Sequence, residues 1–593
     1  MGEDNFRGID KKCLVQELSR LKESSKEAVE GLGKFTLFKK YMHIERDAQK
    51  GLEELIIKAN ESTKAQLILV CGSVGDGKSH MISYLNNKKE YSDIMKTFTL
   101  HNDATESLEP NKTSMDTLNE VLDDFNDEKI EISDRKFILA INLGTLNNFI
   151  DSQYGTRFSI LKKFVQDNKI LENSVENSSF NHNSSFQYVN FSDYHIFTLK
   201  DGKVHSDYVK SLIKRITDSS EHNIFYSSYK RNCSQCTNKD CCPIKNNYEL
   251  LSKDNVQDSI VELLVQSIIK NKIIISTRAL LNFMYELMIP ISYIDVNSPT
   301  FKNRISKLNN HEYIKSLMPN MIFNHKELSF IFEALNSLDP LNIRNEKVDD
   351  FIVEFNNSID IMTYFKDYID FPIGYMDKLS DIDFSETVDR KIVYELLKLF
   401  IRSYYVCGIR DIFSLKDSIY EDYMRALYYW NRGDKAKLKN IYMDVKDGIV
   451  KWNGEVDKDH INIFIGKNQI KYNVSEEIEL KANTDNLPIN NETNLNKFIF
   501  SLKMKYKSDK LDKSQEIDVD FGLYKLLMQV NNGYRPNKKD KNHFIKFIEF
   551  INKIEETGSQ NEKLIFTEKN REVNMKYKLE YDTEFECYRF VEI

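Results

Sequence analysis

The stretch LILVCGSVGDGKSHMISYL, Leu67 to Leu85, decides how the chain is read. Leu67 to Cys71 is an apolar run of strand length, and Met81, Ile82 and Leu85 recur at helical spacing. Between them Gly72, Gly77, Lys78 and Ser79 match G-x-x-x-x-G-K-[ST] in the order strand, loop, helix that this motif requires. Glycines let successive backbone N–H groups turn toward one anion, and a helix start adds the positive end of its dipole. Lys78 would reach the β- and γ-phosphates of a nucleotide, and the Ser79 hydroxyl would ligate Mg2+. Gly72, Ser73, Val74, Gly75, Asp76, Gly77, Lys78, Ser79 and His80 are therefore the expected ATP-binding set. The plain alternative is a glycine turn that binds nothing.

The chain around this loop has 593 residues, too many for one hydrophobic core. Hydrophobic residues at 41% and aromatics at 12% suffice for packed interiors, which excludes wholesale disorder. A formal net charge of −8, from 83 basic and 91 acidic residues, is too near balance to announce nucleic-acid binding, so any DNA contact must be local. The opening MGEDNFRGID has no apolar signal core, and Phe6 stands where a myristoylation motif needs Ser or Thr. The most apolar helical stretch, Lys391 to Phe413, is broken by Glu395, Lys398, Arg402 and Arg410. A cytoplasmic protein without a membrane partner is expected.

Helical spacing of Leu14, Val15, Leu18, Leu21, Val29 and Leu32, then YMHIERDAQKGLEELIIKA, predicts a helical preface over residues 1–60. After the loop come TFTLHND, an amphipathic helix from Asp116 to Phe125, and the apolar run KFILAIN, Lys136 to Asn142. This alternation predicts a parallel α/β sheet, followed by an extended pair FQYVNF and HIFTL between Phe186 and Leu199. The Asn- and Ser-rich segment before that pair reads as an exposed loop. Helical patterns dominate from Val204 to about Tyr442, and alternating strands take over beyond Val450. The expected organisation is an α/β nucleotide domain over 61–300 with a Cys-rich insertion near 233–242, a helical domain over 301–449, and a mixed α+β domain over 450–593.

A phosphate loop works with an acidic group at the end of a neighbouring strand, to hold magnesium and the attacking water. Asp103 is the candidate, with Glu106 three positions on; the competing reading makes Asp103 the N-cap of a helix opened by NDATES. No Asp-Glu pair follows the KFILAIN strand. Asn142, just after five apolar residues, could orient water near a γ-phosphate, and Arg278, in the first turn of a helix begun by ISTRALLNF, could close over a nucleotide. Behind the loop in this order they resemble the sensor positions of AAA+-like ATPases.

CSQCTNKDCCP gathers Cys233, Cys236, Cys241 and Cys242. A C-x2-C knuckle with a second pair suits a tetrahedral Zn2+ site, an iron–sulfur cluster is compatible with the same spacing, and free thiols are the plain alternative. Adjacent Cys241 and Cys242 point apart, so one of them is expected to be idle, with the fourth ligand from elsewhere, such as His222. In FIFSLKMKYK one face carries Phe498, Phe500, Leu502, Met504 and Tyr506 and the other Lys503, Lys505 and Lys507, while GYRPNKKDK adds Tyr534, Arg535, Lys538, Lys539 and Lys541. Such basic faces could track a phosphate backbone, although solvated lysine faces are commoner. No Ser/His/Asp constellation, metallohydrolase His motif or nuclease triad is present.

Taken together, GSVGDGKSHMISYL, LHNDATES, AINLGTLNNF, CCPIKNNYELL and STRALLNFMYEL resemble the F-component (DptF) family of the Dnd/Dpt phosphorothioation-dependent restriction systems. The resemblance implies a P-loop, AAA+-like fold and a bacterial defence role. It implies an ATP-dependent subunit that acts with G and H partner components to restrict DNA lacking phosphorothioate in its backbone. Gly72, Gly77, Lys78 and Ser79 carry over from it as nucleotide-binding residues. A homo-oligomer is compatible with it, and so is a nucleotide-bound scaffold that assembles the complex without appreciable turnover.

Overall fold

The computed structural model describes residues 13–27, 36–102, 112–172, 179–343, 345–368, 377–379, 390–454, 457, 459–463, 471–485, 487–507, 514–556, 563–568 and 575–593. The chain divides into two compact units: residues 1–198 with 205–416, and residues 199–204 with 417–593.

The first unit is α/β. Its sheet has four parallel strands, β1 (Gln66–Gly72), β2 (Thr99–His101), β3 (Lys136–Asn142) and β4 (Phe186–Asn190), in the order β2-β3-β1-β4. All seven residues of β1 are buried, as both faces of a parallel sheet require. Leu67, Leu69 and Cys71 join Phe137, Leu139 and Ile141 on one face, covered by Leu118, Leu146, Phe149 and Leu161 from the helices Ser114–Val121, Leu143–Asp151 and Ser159–Asp167. Ile68, Val70, Ile138 and Val189 alternate onto the other face, under Leu52, Leu55, Ile56, Met81, Ile82 and Leu85 of the helices Asp47–Glu61 and Lys78–Asn87. Register aligns Gly72 with Asn142 and Cys71 with Asn190, so the carboxyl ends of the three longest strands open on one crevice.

Two expectations shift here. YMHIERDAQKGLEELIIKA is not one helix: the helix Leu37–Met42 stops at His43, residues 43–46 run between helices, and the helix Asp47–Glu61 starts afresh. The cause is tertiary, because Arg46 spends its side chain on the loop after β1 and His43 on the helix that follows that loop, as described below. HIFTL does not pair with FQYVNF. A later hairpin, Thr198–Lys200 with Lys203–His205, turns at Asp201 and Gly202, both at positive φ, and its Leu199 pairs with Leu495 and its Lys200 with Asn494.

Helices dominate the rest of the first unit, including Asp207–Thr217, Asp254–Asn271, Thr277–Met288 and Arg390–Val406. The polar residues that break the apolar stretch near residue 400 are paired. The buried Arg402 guanidinium donates to both carboxylate oxygens of Asp339, at 3.2 and 2.5 Å, and to Asn320 and Asn324, both at 2.8 Å. Glu395 lies 2.6 Å from Lys398, and Arg410 pairs with Glu262. Among the described residues no helix is long and apolar enough to cross a membrane.

The second unit carries a five-stranded antiparallel sheet, running Cys587–Glu592, Lys576–Asp582, Lys563–Glu568, Tyr472–Glu477, His460–Asn462, and a three-stranded one, Gln515–Val519, Leu502–Lys507, Lys481–Asn483. The expected strand FIFSLKMKYK is strand only from Leu502, so Phe498 and Phe500 lie before it. Leu502, Met504 and Tyr506 are buried as the alternation requires. Two of the three lysines on the other face are matched by acid: Lys503 stands opposite Asp518 and Lys505 lies 3.1 Å from Glu516, while Lys507 stands opposite Lys481.

Candidate functional site

The crevice at the carboxyl ends of β1 and β3 is where ligands bind in open parallel sheets, and the glycine loop Gly72–Gly77 lies across it. Two glycines shape the loop. Gly75 has φ +84° and Gly77, which caps the helix Lys78–Asn87, has φ +89°. Both are left-handed conformations that a side chain strains. A Cβ on Gly75 would also stand 2.9 Å from Ser276 Oγ and 3.8 Å from Arg278 Cβ. The start of the helix Thr277–Met288 is therefore packed on the loop, which sets Arg278 beside it. Its Nε is buried with no hydrogen-bond partner.

Lys78 is buried and donates to Gly72 O at 3.1 Å, Ser73 O at 2.6 Å and Asn142 Oδ1 at 3.0 Å. Asn142 owes its position to β3, the strand directly beside β1, so the two expected site residues meet through a side-chain contact. Ser79 Oγ donates to Asn102 O at 3.2 Å, just beyond the end of β2. Asp103 and Glu106 lie outside the described residues.

Asp76 lies inside the loop rather than in solvent. Its Oδ2 accepts from Ser73 N–H at 2.6 Å and from Ser192 Oγ at 3.4 Å, and burial pushes its carboxyl above the usual range against the pull of Ser73 N–H, Lys78 and Arg46. A carboxylate thus holds a backbone N–H that an incoming anion could take. Val74, 71% exposed, is the tip.

Sequence reasoning missed two residues that support this loop and the helix after it. Arg46 donates to Asp76 O at 3.1 Å and to Tyr194 O at 3.2 Å, with its guanidinium over the rings of Tyr208 and Phe191. His43 Nε2 bonds Gln49 Oε1 at 3.0 Å, which makes Nδ1 the acceptor from His80 Nε2–H at 3.1 Å. The His43 ring stacks on Tyr84 with centroids 3.6 Å apart. His80, placed in the nucleotide-binding set from the sequence, thus faces a neighbouring histidine, and burial pushes its pKa down to about 4. Arginine reaching backbone carbonyls from a distant helix start leaves no spacing signal in a sequence.

The cysteines of CSQCTNKDCCP do not all converge. Cys233, Cys236 and Cys242 line one cavity, whereas Cys241 turns its thiol toward Asn238 O, 3.6 Å away, and is absent from that lining. His222 is exposed and is not in the lining either. None of the eight cysteines is in a disulfide, and burial pushes the Cys233 thiol up to about 12. Among the described residues no group of three or more His, Cys, Asp or Glu side chains is arranged to hold a metal ion.

The loop thus sets a helix N-terminus, the Lys78 ammonium and the Arg46 guanidinium side by side, groups that favour negative charge. No family model, curated protein or solved structure matches this chain.

Proposed function

We propose that this chain is a P-loop NTPase of AAA+-like type, the ATP-binding and ATP-hydrolysing subunit of a bacterial phosphorothioation-dependent restriction complex. It restricts DNA lacking the backbone modification, in the cytoplasm, together with G and H partner components that supply the cutting and the remaining DNA contacts. The observation that carries the nucleotide part is the meeting of Lys78 with Asn142 at the carboxyl ends of adjacent parallel strands, beneath a glycine loop with two left-handed glycines. Gly72 to Ser79 would hold the phosphates of ATP, with Lys78 on the β- and γ-phosphates and Ser79 on Mg2+. Asn142 would orient water, Arg278 would close on the γ-phosphate, and Asp103 with Glu106 would serve the metal and the water. The restriction role rests on the resemblance of GSVGDGKSHMISYL, LHNDATES and AINLGTLNNF to the F-component family.

A second reading, a nucleotide-bound scaffold that does not turn over, is favoured by one feature: β3 ends in Asn142 rather than in an acidic pair. Co-purification with the two partners, then ATPase assay on modified and unmodified DNA, separates the readings. The motor reading predicts turnover that unmodified DNA stimulates and Lys78→Ala abolishes. Tight ATP binding with no turnover under any condition selects the scaffold, and failure to co-purify with either partner overturns the restriction role.

A further inference from the structure

The three cavity-lining cysteines of the Cys-rich segment have a fourth companion from the far end of the chain. Cys13, immediately before the helix Leu14–Glu27, lines the same cavity as Cys233, Cys236 and Cys242. Three local devices deliver the other thiols. A π turn, Tyr229–Cys233, presents Cys233. A tight turn then brings Cys236 N–H onto Cys233 O at 3.2 Å, the C-x2-C knuckle geometry. Cys242 occupies the N-cap of the helix Pro243–Leu251, which holds it at the cavity beside the knuckle. The helix Leu14–Glu27 packs against both the π turn and the helix Thr277–Met288, which fixes Cys13 at the cavity.

From this juxtaposition we infer that Cys13, Cys233, Cys236 and Cys242 form a structural tetrathiolate site for a single Zn2+ ion, with Cys241 outside it. The cavity, about 20 Å³, has room for one ion-sized occupant. Lys239, Lys245 and Lys302 line the same space and offset the charge of four thiolates around one dication. Asn238 donates to Lys302 O at 2.7 Å, tying the knuckle to its surroundings. The thiols surround the cavity without being arranged for coordination; binding would release their protons and draw them onto the ion. The ion would staple the start of the chain to the Cys-rich segment and brace the helix whose first turn carries Arg278. The inference does not depend on nucleotide binding.

The test is metal analysis of the full chain purified with zinc supplied. The site predicts about one zinc per chain and no stoichiometric iron. After dialysis against a chelator, Cys13→Ser and Cys236→Ser should each retain at least about tenfold less zinc than the parent, while Cys241→Ser and Lys78→Ala retain it fully. Should Cys13→Ser fail to fold, alkylation mapping of the unsubstituted chain decides. Zinc should shield Cys13, Cys233, Cys236 and Cys242 together and leave Cys241 reactive. Zinc lost from Cys241→Ser but kept by Cys13→Ser, protection of Cys241 with Cys13 reactive, a stoichiometric iron content, or no zinc at all overturns the assignment.

Discussion

At the scale of single residues, the loop is a set of tensions between burial and charge. His80 faces His43 as neutral imidazole to neutral imidazole; a proton on His43 Nδ1 would set N–H against N–H, and burial opposes a charge on His80. The folded pKa of His80, about 4, lies below the ordinary 6.5, so the unfolded chain binds the proton first as pH falls. Stability is therefore complete above about pH 6.5 and declines toward pH 4, by about 3 kcal/mol at most. Urea midpoints measured between pH 7.5 and 5 should show this loss, and His80→Gln should flatten it; an unchanged slope in that variant would refute the pairing. Gly75→Ala is expected to cost about 1 to 2 kcal/mol for its left-handed backbone and to push Ser276 off the loop. Thermal unfolding gives that number, and an unperturbed midpoint would contradict the packing described. Lys78 and the loop glycines were legible because a motif fixes residue type and spacing together. Arg46 and His43 were not, because what they bind is a backbone carbonyl and a distant ring, neither of which a sequence pattern records.

Elements were legible where burial is two-sided or strictly periodic. KFILAIN became the buried strand β3, and TRALLNFMYELMI the helix Thr277–Met288, because apolar runs of those lengths have few other ways to hide. Their order in the sheet was not readable: that β3 lies directly beside β1, and so sets Asn142 on Lys78, is decided by crossovers. The late hairpin at Asp201-Gly202 had a signal, an Asp-Gly pair between short extended runs, which the apolar run before it masked. In the helical layer, Arg402 interrupts an apolar face yet is fully engaged by Asp339, Asn320 and Asn324. Replacing it with alanine leaves the Asp339 carboxylate buried without its cation, at a cost of about 3 to 5 kcal/mol. Arg402→Ala together with Asp339→Ala should recover part of that loss. A double variant no better than the single one would show that the pair is not the source.

At the scale of the molecule, two units are built from one chain that is not divided once. Residues 199–204 leave the α/β unit and join residues 417–593, where a Cβ on Gly202 would lie 3.2 Å from Arg425 Cα. Both tryptophans, Trp430 and Trp452, are buried in that second unit, so tryptophan fluorescence reports its unfolding alone. Gly202→Val, strained at φ +74°, should lower the fluorescence midpoint in urea by the equivalent of about 1 to 3 kcal/mol and leave ATP affinity unchanged. A loss of affinity without a shifted midpoint would contradict that division. The most direct test of the central claim is titration calorimetry of the full chain with ATP and Mg2+. One nucleotide per chain, weakened at least about tenfold by Lys78→Ala, is the predicted result. No heat from the unsubstituted chain, or the same affinity after the lysine is removed, would contradict it.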